Sequence, residues 1–356
     1  MFNDIYRGRS VLVTGDTGFK GSWLALWLQQ AGAQVHGYSL PAEPDHAHSH
    51  VLGLGHAQTL ADIRDVEALR HAMATAAPEI VFHLAAQPLV LTSYQDPLST
   101  WQINVQGTAN VLEIARHLPS VRAVVVITTD KCYENREWPW GYREIDALGG
   151  HDPYSASKAA AELVAASYRA SFAVRPGMPP LYIATARAGN VIGGGDWAQY
   201  RLIPDIARAA ASGEAVEIRN PLAIRPWQHV LESLSAYLLI GQHLLQENSA
   251  VASAWNVGPS DDDIAAVQDV LTQMQSHWPQ VQWRKIGAEA HETNALRLDS
   301  SRLRQGLGWK PVWTLAQTLA HTAQWYQAWQ QGQVLSALQL QTYLDDARAA
   351  GIEWAQ

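Results

Sequence analysis

Apolar and polar positions alternate in blocks along the first half of the chain. Short runs rich in β-branched residues are followed by longer segments with helical periodicity, which is typical of a parallel sheet with crossover helices. The predicted strands are residues 10–15, 33–40, 58–63, 79–86, 122–129 and 181–190. Because residues 122–129 are continuously apolar, we expect this strand to be central and buried on both faces. The pattern predicts an α/β fold with a doubly wound parallel sheet.

Two Asp-Pro pairs mark the starts of long helices. Asp96 and Asp152 are each followed by proline, which combines an N-cap side chain with a residue suited to the first helical turn. The predicted helices are residues 22–30, 96–117, 153–171, 204–211 and 231–245.

The alternation weakens after residue 190, which indicates a second, smaller lobe of mixed structure. The helix at 231–245 and the segment AWNVG at 254–258 look like a return to the sheet. We therefore assign residues 1–188 and about 224–257 to the sheet domain, and about 189–223 and 258–356 to an interleaved C-terminal lobe.

Composition narrows the class of protein. Of 356 residues, 47% are hydrophobic and 16% charged, which is typical of a globular chain. The formal net charge of −8, without a Lys/Arg cluster, argues against a nucleic-acid partner. No apolar stretch approaches the ~20 residues of a membrane span, and the N-terminus lacks the pattern of a signal or transit peptide. The lone Cys132 excludes an intrachain disulfide and suits the cytoplasm, and we expect no metal site.

A glycine-rich loop joins the first predicted strand to the first helix. Gly15, Gly18 and Gly21 have G-x-x-G-x-x-G spacing, which permits a tight turn and a close backbone approach to a pyrophosphate at the helix N-terminus. This motif predicts that the sheet domain binds a dinucleotide.

The identity of the dinucleotide is less clear from the residues. An acid after the second strand is the usual sign of NAD, but here Tyr38 and Ser39 follow, and the first acid is Glu43. Lys20 suits either a diphosphate or an additional phosphate. We expect NAD, with NADP left open.

Two clusters of polar residues could carry out catalysis. The first lies at the start of a predicted helix, and the second follows a predicted strand. Tyr154 and Lys158 are four residues apart on one helical face, where a cation can stabilise a phenolate and make the tyrosine an acid/base. Thr129, Asp130 and Lys131 follow the most apolar strand, at the sheet edge where doubly wound folds place ligands. A hydroxyl, a carboxyl and an amine there suggest chemistry beyond simple hydride transfer.

These motifs resemble the extended short-chain dehydrogenase/reductase family, and within it the branch of nucleotide-sugar 4,6-dehydratases. The resemblance is carried by GDTGFKGSWL, HLAAQPLV, TTDKCYENREWPWGYRE, NVIGGGDW, IRNPLAIRPWQHV and LDSSRLRQGLGWKP, between about residues 10 and 311. Lys131 is a departure, because the commonest branch has glutamate there. Within the branch the motifs look most like those of enzymes that act on CDP-glucose, which implies CDP-glucose as the substrate.

The resemblance implies a set of cofactor-binding residues for a tightly bound, recycled NAD. They are Gly15, Thr17, Gly18, Phe19, Lys20, Gly21, Asp62, Ile63, Leu84, Ala85, Ala86, Gln87, Asn104, Thr128, Tyr154 and Lys158.

The family reaction implies roles for the catalytic residues. Tyr154, supported by Lys158, removes the proton of the hexose 4-hydroxyl during C4 oxidation. Lys131, if neutral, then takes the C5 proton, while Asp130, if protonated, donates to the departing 6-hydroxyl. Thr129, or alternatively Thr128, hydrogen-bonds the 4-oxygen. Lys131 could instead polarise the ketone or orient Asp130.

The C-terminal lobe is expected to bind the nucleotide sugar. The residues that match pocket positions or could hold a diphosphate are Asn190, Arg201, Leu202, Pro204, Arg219, Arg225 and His291. No residue reads cytosine directly, so the CDP assignment follows from resemblance.

Three other functions remain open from the sequence. One is a 4,6-dehydratase that acts on a different nucleotide sugar. A nucleotide-sugar 4-epimerase would use the glycine loop, Tyr154 and Lys158 but has no use for Asp130 and Lys131. A binding or scaffold protein with an inactive site would be expected to lack Tyr154 or Lys158, and both are present. The family further implies a homodimer through a four-helix bundle, and a role in deoxysugar synthesis for surface polysaccharide such as the O-antigen of lipopolysaccharide.

Overall fold

A seven-stranded, fully parallel sheet forms the centre of the larger part of the molecule. The computed structural model describes residues 1–43, 46–260, 263–287 and 295–356. The strands are β1 (Ser10–Thr14), β2 (Gln34–Ser39), β3 (Ala57–Leu60), β4 (Ile80–His83), β5 (Ala123–Thr129), β6 (Tyr182–Ala188), β7 (Asn190–Ile192), β8 (Ala215–Ile218), β9 (Ile224–His229), β10 (Ala254–Val257), β11 (Ile264–Ala266) and β12 (Gln282–Lys285). The order across the large sheet is β10-β6-β5-β4-β1-β2-β3.

The helices lie on both faces of this sheet and in the C-terminal lobe. They are α1 (Phe19–Gln30), α2 (His48–Leu52), α3 (Val66–Ala76), α4 (Val90–Gln95), α5 (Pro97–Trp101), α6 (Gly107–His117), α7 (Pro153–Phe172), α8 (Leu202–Ser212), α9 (Val230–Leu245), α10 (Val267–His277), α11 (Ser301–Leu307), α12 (Leu315–Gln330) and α13 (Ser336–Ala349). Alternate residues of β1 show the two layers: Val11 and Val13 pack with α1 and α9, whereas Leu12 packs with α3 and α6. This confirms the predicted doubly wound α/β fold.

The strand predicted to be central, β5, is buried at every residue. It is the third strand from one edge, and β4 occupies the middle position. Its carboxyl end therefore opens near the point where the strand order reverses between β4 and β1, which is where ligands bind in such sheets.

The helix predicted over residues 96–117 is not one regular α-helix. Asp96 caps α5 by accepting a hydrogen bond from the amide of Ser99 at 3.1 Å, as its Asp-Pro pair indicated. A π-helical segment, Gln102–Gln106, then separates α5 from α6. This segment contains the buried Asn104, whose side chain hydrogen-bonds a loop at the sheet edge.

Two small sheets lie outside the large one. In the first, β9 pairs in parallel with β7 and antiparallel with β11; in the second, β8 and β12 are parallel. After β9 the chain returns to the large sheet, where α9 packs against β5 and β6, and β10 pairs with β6. The junction between β6 and β7 thus connects the large sheet to the C-terminal lobe.

Candidate active site

A cleft of about 310 Å³ opens at the carboxyl edge of the large sheet. Its walls come from the glycine loop, the ends of β2 to β5, the first turns of α7 and the start of α8. The lining residues are Gly15, Thr17, Gly18, Phe19, Lys20, Gly21, Tyr38, Ser39, Leu40, Ala61, Asp62, Ile63, Leu84, Ala85, Ala86, Pro88, Ile103, Ile127, Thr128, Tyr154, Lys158 and Arg201.

The glycine loop is packed so tightly that two of its glycines leave no room for a side chain. Gly15 has φ +76°, and a Cβ there would lie 2.8 Å from the amide nitrogen of Ala85. A Cβ on Gly21 would overlap the carbonyl oxygen of Gly15. Gly18 is the N-cap of α1 and has more space, with a Cβ 3.3 Å from the same oxygen. The loop thus leaves its backbone open to a ligand at the N-terminus of α1.

Most of the residues expected to bind the cofactor lie on this cleft, but Gln87 and Asn104 do not line it. The side chain of Asn104 accepts a hydrogen bond from the amide of Gln87 at 2.9 Å and donates to its carbonyl at 3.1 Å. It also donates to Ser157 on α7 at 2.8 Å. Asn104 is buried behind the loop and fixes its path from there, and a part for Gln87 and Asn104 in cofactor binding stays a prediction.

Tyr154 and Lys158 both face the cleft from α7. The N-cap Asp152 accepts hydrogen bonds from the amide and the hydroxyl of Ser155, which fixes the first turn. Burial raises the pKa of Tyr154 to about 12, and a hydrogen bond with Thr129 and the nearby charge of Arg201 act to lower it. The Lys158 ammonium donates to the carbonyl of Ile127 at 3.1 Å, and burial lowers its pKa to about 8.

The end of β5 holds a fully buried carboxyl beside a lysine. Asp130 Oδ1 accepts a hydrogen bond from the Thr129 hydroxyl at 2.9 Å and lies 3.6 Å from Lys131 Nζ. Asp130 Oδ2 is buried and has no partner among the described residues. A Cβ on Gly189, at the junction of β6 and β7, would lie 3.1 Å from that oxygen. The carboxyl thus borders the joint between the large sheet and the C-terminal lobe.

A buried ion pair between Glu162 and Arg187 lies next to the active-site strand β5. Glu162, one turn after Lys158 on α7, accepts hydrogen bonds from Thr128 at 2.5 Å and Thr185 at 2.7 Å. It also pairs with Arg187 at 2.8 Å, and both side chains are less than 5% exposed. The charge of Glu162 raises the pKa of Lys158 against the effect of burial. No sequence pattern points to this pair, because Glu162 and Arg187 come from different elements and stand in no recognisable motif.

Two further cations face the cleft. Burial, followed by the charge of Arg201, lowers the pKa of Lys20 to about 7, while Asp130 acts in the opposite direction. Arg201, the N-cap residue of α8, forms an ion pair with Asp196 at 2.9 Å. Arg201 was expected in the nucleotide-sugar pocket, and the structure places it on the same cleft as Tyr154 and the glycine loop.

The remaining residues expected to bind substrate are spread over the C-terminal lobe. Asn190 begins β7, and its Oδ1 is buried without a partner in the described part of the chain. Leu202 and Pro204 form the first turn of α8, Arg219 is exposed after β8, and Arg225 lies in β9. His291 lies outside the described residues. The structure brings Asn190 close to the active-site strand and leaves Arg219 at the surface.

Three cleft residues from the end of β2 were not predicted: Tyr38, Ser39 and Leu40. An acid is the usual residue at the end of the second strand of this fold, and none is present here. The position after the second strand was itself a sufficient signal, because that strand ends beside the glycine loop in this fold.

Neither metal binding nor membrane insertion is indicated by the described part of the chain. Within those residues, no group of three or more His, Cys, Asp and Glu side chains could hold a metal ion. No helix within the same ranges is long and apolar enough to cross a membrane.

The glycine loop, the parallel sheet and the Tyr154/Lys158 pair define an extended short-chain dehydrogenase/reductase. More narrowly, the chain belongs to the GDP-mannose 4,6 dehydratase family, whose model matches residues 12–322. It is 47% identical to the CDP-glucose 4,6-dehydratase of Salmonella typhimurium over 93% of this chain and 94% of that relative. The chain therefore falls in the dehydratase branch of the class.

Solved structures support the fold. The UDP-glucose-4-epimerase of Stenotrophomonas maltophila with bound NAD has a TM-score of 0.78 and 25% identity, covering 91% of this chain and all of that one (100%). The dTDP-glucose 4,6-dehydratase of Bacillus anthracis in complex with NAD has a TM-score of 0.75 and 21% identity, covering 89% and 96%. The second likeness bears on the fold alone.

Proposed function

We propose that this chain is a CDP-glucose 4,6-dehydratase that converts CDP-D-glucose to CDP-4-dehydro-6-deoxy-D-glucose with a recycled NAD. The observation that carries this proposal is the 47% identity to the Salmonella typhimurium CDP-glucose 4,6-dehydratase along nearly the whole chain. The structure supports it, because the buried Asp130 and its neighbour Lys131 follow the strand that ends beside Tyr154 and Lys158.

The cleft suits NAD. Gly15 and Gly21 form a cradle that a Cβ would fill, and backbone amides at the start of α1 face it. Lys20, Lys158 and Arg201 place positive charge where a diphosphate is expected. When bound, NAD supplies the hydride acceptor for C4 and the hydride donor for C6.

Oxidation at C4 requires a group that takes the proton of the 4-hydroxyl. Tyr154 fills this role, and it must be deprotonated to do so. Burial raises the pKa of Tyr154 to about 12, and the hydrogen bond with Thr129 and the charge of Arg201 act in the opposite direction, toward the phenolate. Lys158, one helical turn away on α7, is proposed to stabilise the phenolate further. Thr129, which hydrogen-bonds Tyr154, positions the 4-oxygen.

Elimination of water requires a base at C5 and an acid at the 6-hydroxyl. Lys131 is the proposed base and Asp130 the proposed acid. Asp130 is proposed as the acid because its carboxyl is fully buried at the end of β5, beside Lys131, and one of its oxygens has no protein partner among the described residues. The C5 proton and the 6-hydroxyl leave as water, the hydride removed from C4 returns to C6 and a proton from solvent returns to C5, so the sequence involves no net oxidation.

We also propose that each of the two lobes binds one of the two ligands. Residues 1–188 and about 224–257 bind the dinucleotide, and about 189–223 and 258–356 bind the nucleotide sugar. Asn190 supports this division, because its Oδ1 is buried without a partner among the described residues, and the preceding Gly189 leaves room for Asp130, whose Oδ2 would lie 3.1 Å from a Cβ there. Arg225 and Arg219 are proposed to hold the substrate diphosphate, and His291 remains a prediction.

A substrate panel with isotopic labelling tests the function. CDP-, dTDP-, GDP- and UDP-glucose are each incubated with protein and NAD in D₂O, and the products are analysed by mass spectrometry and NMR. The expected result is loss of one water from CDP-glucose, with deuterium at C5. A 4-epimer without loss of water would instead identify an epimerase, and dehydration confined to another nucleotide sugar would refute the substrate.

A pair of lysine variants tests the elimination step. Lys131→Ala should still oxidise C4 but lose C5 exchange and dehydration, whereas the exposed Lys310→Ala should match the unaltered protein. Full dehydration with C5 exchange in Lys131→Ala would remove the base assignment.

We propose a homodimer through a four-helix bundle, to which each subunit contributes α7 and the helical stretch from α5 to α6. These elements carry the exposed apolar side chains Leu98 (75%), Trp101 (39%) and Leu163 (61%). Leu163→Glu should shift the mass measured by light scattering from dimer to monomer. Leu338→Glu, on α13 and equally exposed at 59%, should not. A monomeric unaltered protein would refute the proposal.

We further propose that the chain works in the cytoplasm, where nucleotide sugars are made. Its product would feed synthesis of a deoxysugar for surface polysaccharide such as O-antigen. Deletion of the gene should remove that deoxysugar from the surface, and an unchanged polysaccharide would count against this role.

A further inference from the structure

The end of β2 presents a serine where this fold usually presents an acid. That acid hydrogen-bonds the adenosine ribose of NAD, and a basic residue replaces it where the ribose carries a phosphate. Here Ser39 lines the cleft, with Tyr38 and Leu40 on either side, so this end of the strand carries neither an acid nor a cation. The Ser39 hydroxyl donates a hydrogen bond to Asp16 Oδ1 at 2.8 Å.

Asp16 is built into the fold behind this serine. It is the second residue of the glycine loop and is 1% exposed. Its Oδ2 accepts hydrogen bonds from Gln58 at 2.5 Å and from His56 Nε2 at 2.9 Å, both from the region of β3. Gly37 on β2 makes room for the carboxylate, since a Cβ there would overlap its oxygens.

Three side-chain donors hold the Asp16 carboxyl in place. They are the Ser39 hydroxyl on Oδ1, and the Gln58 amide and His56 Nε2 on Oδ2. No Lys or Arg side chain pairs with Asp16 among the described residues.

The hydrogen bond to Asp16 determines whether Ser39 can act as a donor or an acceptor toward a ligand. A hydroxyl has one hydrogen, and Ser39 gives it to Asp16. Ser39, which lines the cleft, is then left with acceptor capacity only, and this suits a ribose 2′-hydroxyl as donor. A 2′-phosphate has only acceptors and two negative charges, so the lone pairs of Ser39 and the charge of Asp16 repel it.

We propose that Asp16, acting through Ser39, selects NAD over NADP in place of the acid missing from the end of β2. The inference rests on the proposed function in one respect, because it requires a dinucleotide in this cleft. Asp16 is a positioning residue here, and Ser39 is the residue that contacts the ribose.

The test compares dissociation constants for NAD⁺ and NADP⁺ by calorimetric titration, together with the dinucleotide released when the purified protein is denatured. The unaltered protein should prefer NAD⁺. Asp16→Asn removes the negative charge behind Ser39, so NADP⁺ should bind more tightly and the preference should fall at least tenfold. Glu43→Gln is the matched control, because Glu43 is the first acid after β2 in sequence but is exposed and outside the cleft.

A second variant covers the case in which Asp16→Asn does not fold. Ser39→Ala keeps the charge of Asp16 and removes only the acceptor, so NAD⁺ should bind several-fold more weakly with no gain for NADP⁺. Unchanged NAD⁺ affinity in Ser39→Ala, or an unchanged preference in folded Asp16→Asn, would overturn the inference alone. An unaltered protein that prefers NADP⁺ would also overturn it, and one that binds neither dinucleotide would overturn the proposed function with it.

Discussion

Glu162→Gln isolates the contribution of the buried charge under the active site. The change keeps the shape of the side chain but removes the only carboxylate paired with Arg187 among the described residues. Arg187 keeps a hydrogen bond to Tyr133 at 2.8 Å and one to the carbonyl of Glu144 at 3.2 Å. Breaking a buried pair from one side costs about 3–5 kcal/mol, and these remaining contacts favour the lower end, about 3 kcal/mol.

The loss of stability in Glu162→Gln can be compared with the loss caused by breaking a Glu–Arg pair at the surface. At the ~2 °C per kcal/mol of a large chain, Glu162→Gln should lower the melting temperature by roughly 6 °C. Glu247→Gln breaks a pair with Arg122 that joins distant segments, as Glu162 does, but Glu247 is 58% exposed. Its cost should stay below about 1 kcal/mol. Equal shifts in the two variants would refute the reasoning.

A pH profile separates this electrostatic role from a merely structural one. Glu162 raises the pKa of Lys158, which burial lowers to about 8, so removal of the charge should lower that pKa further. Lys158 supports Tyr154 only when it is protonated, and activity is lost as pH rises through its pKa. The alkaline limb of kcat/KM should therefore move to lower pH in Glu162→Gln and stay in place in Glu247→Gln. An unmoved limb would show that Glu162 serves packing alone.

Three other predictions concern the glycine loop, a buried histidine and the cysteine. Gly21→Ala should abolish NAD⁺ retention, because its Cβ would overlap the carbonyl oxygen of Gly15. Gly18→Ala should largely keep it, because its Cβ would lie 3.3 Å from the same oxygen. Calorimetric titration measures both affinities, and weaker binding by Gly18→Ala than by Gly21→Ala would contradict the packing argument. Burial lowers the pKa of His48 to about 3 from an ordinary 6.5, so the stability it contributes is present above about pH 6.5 and lost as pH falls. The melting temperature should thus fall between pH 7 and pH 5, less steeply in His48→Gln, and parallel curves would count against this source of acid sensitivity. Burial also raises the pKa of the Cys132 thiol, so a thiol reagent should modify no cysteine in the folded protein and one after denaturation; rapid labelling of the native chain would contradict its packing role.

The parts of the site that the sequence predicted are those set by residues close together in the chain. The spacing of Gly15, Gly18 and Gly21 follows from one strand-to-helix turn, and Tyr154 and Lys158 follow from one helix. Asp130 and Lys131 were located because a strongly apolar strand ends just before them. In each case the local pattern also determines where the side chains lie.

The parts that were missed depend on contacts between distant segments. Asp16 meets Gln58 across 42 positions, and Glu162 meets Arg187 across 25. A buried polar residue gives no periodic signal of its own, so its partner cannot be read from the pattern. The strand β12 was missed for a related reason, because it is short, mostly exposed and pairs with β8 on the far side of the lobe.

Ligand binding and the protonation of the lysines in the cleft are linked by charge. The chain is acidic as a whole, at −8, yet Lys20, Lys158 and Arg201 line one cleft. Burial lowers the pKa of Lys20 to about 7 and that of Lys158 to about 8, so these cations are costly to keep charged without a partner. A dinucleotide and a nucleotide sugar each bring a diphosphate, which favours the protonated lysines. Ligand binding should therefore keep Lys158 protonated over a wider pH range, which is the state in which it can support the phenolate proposed for Tyr154.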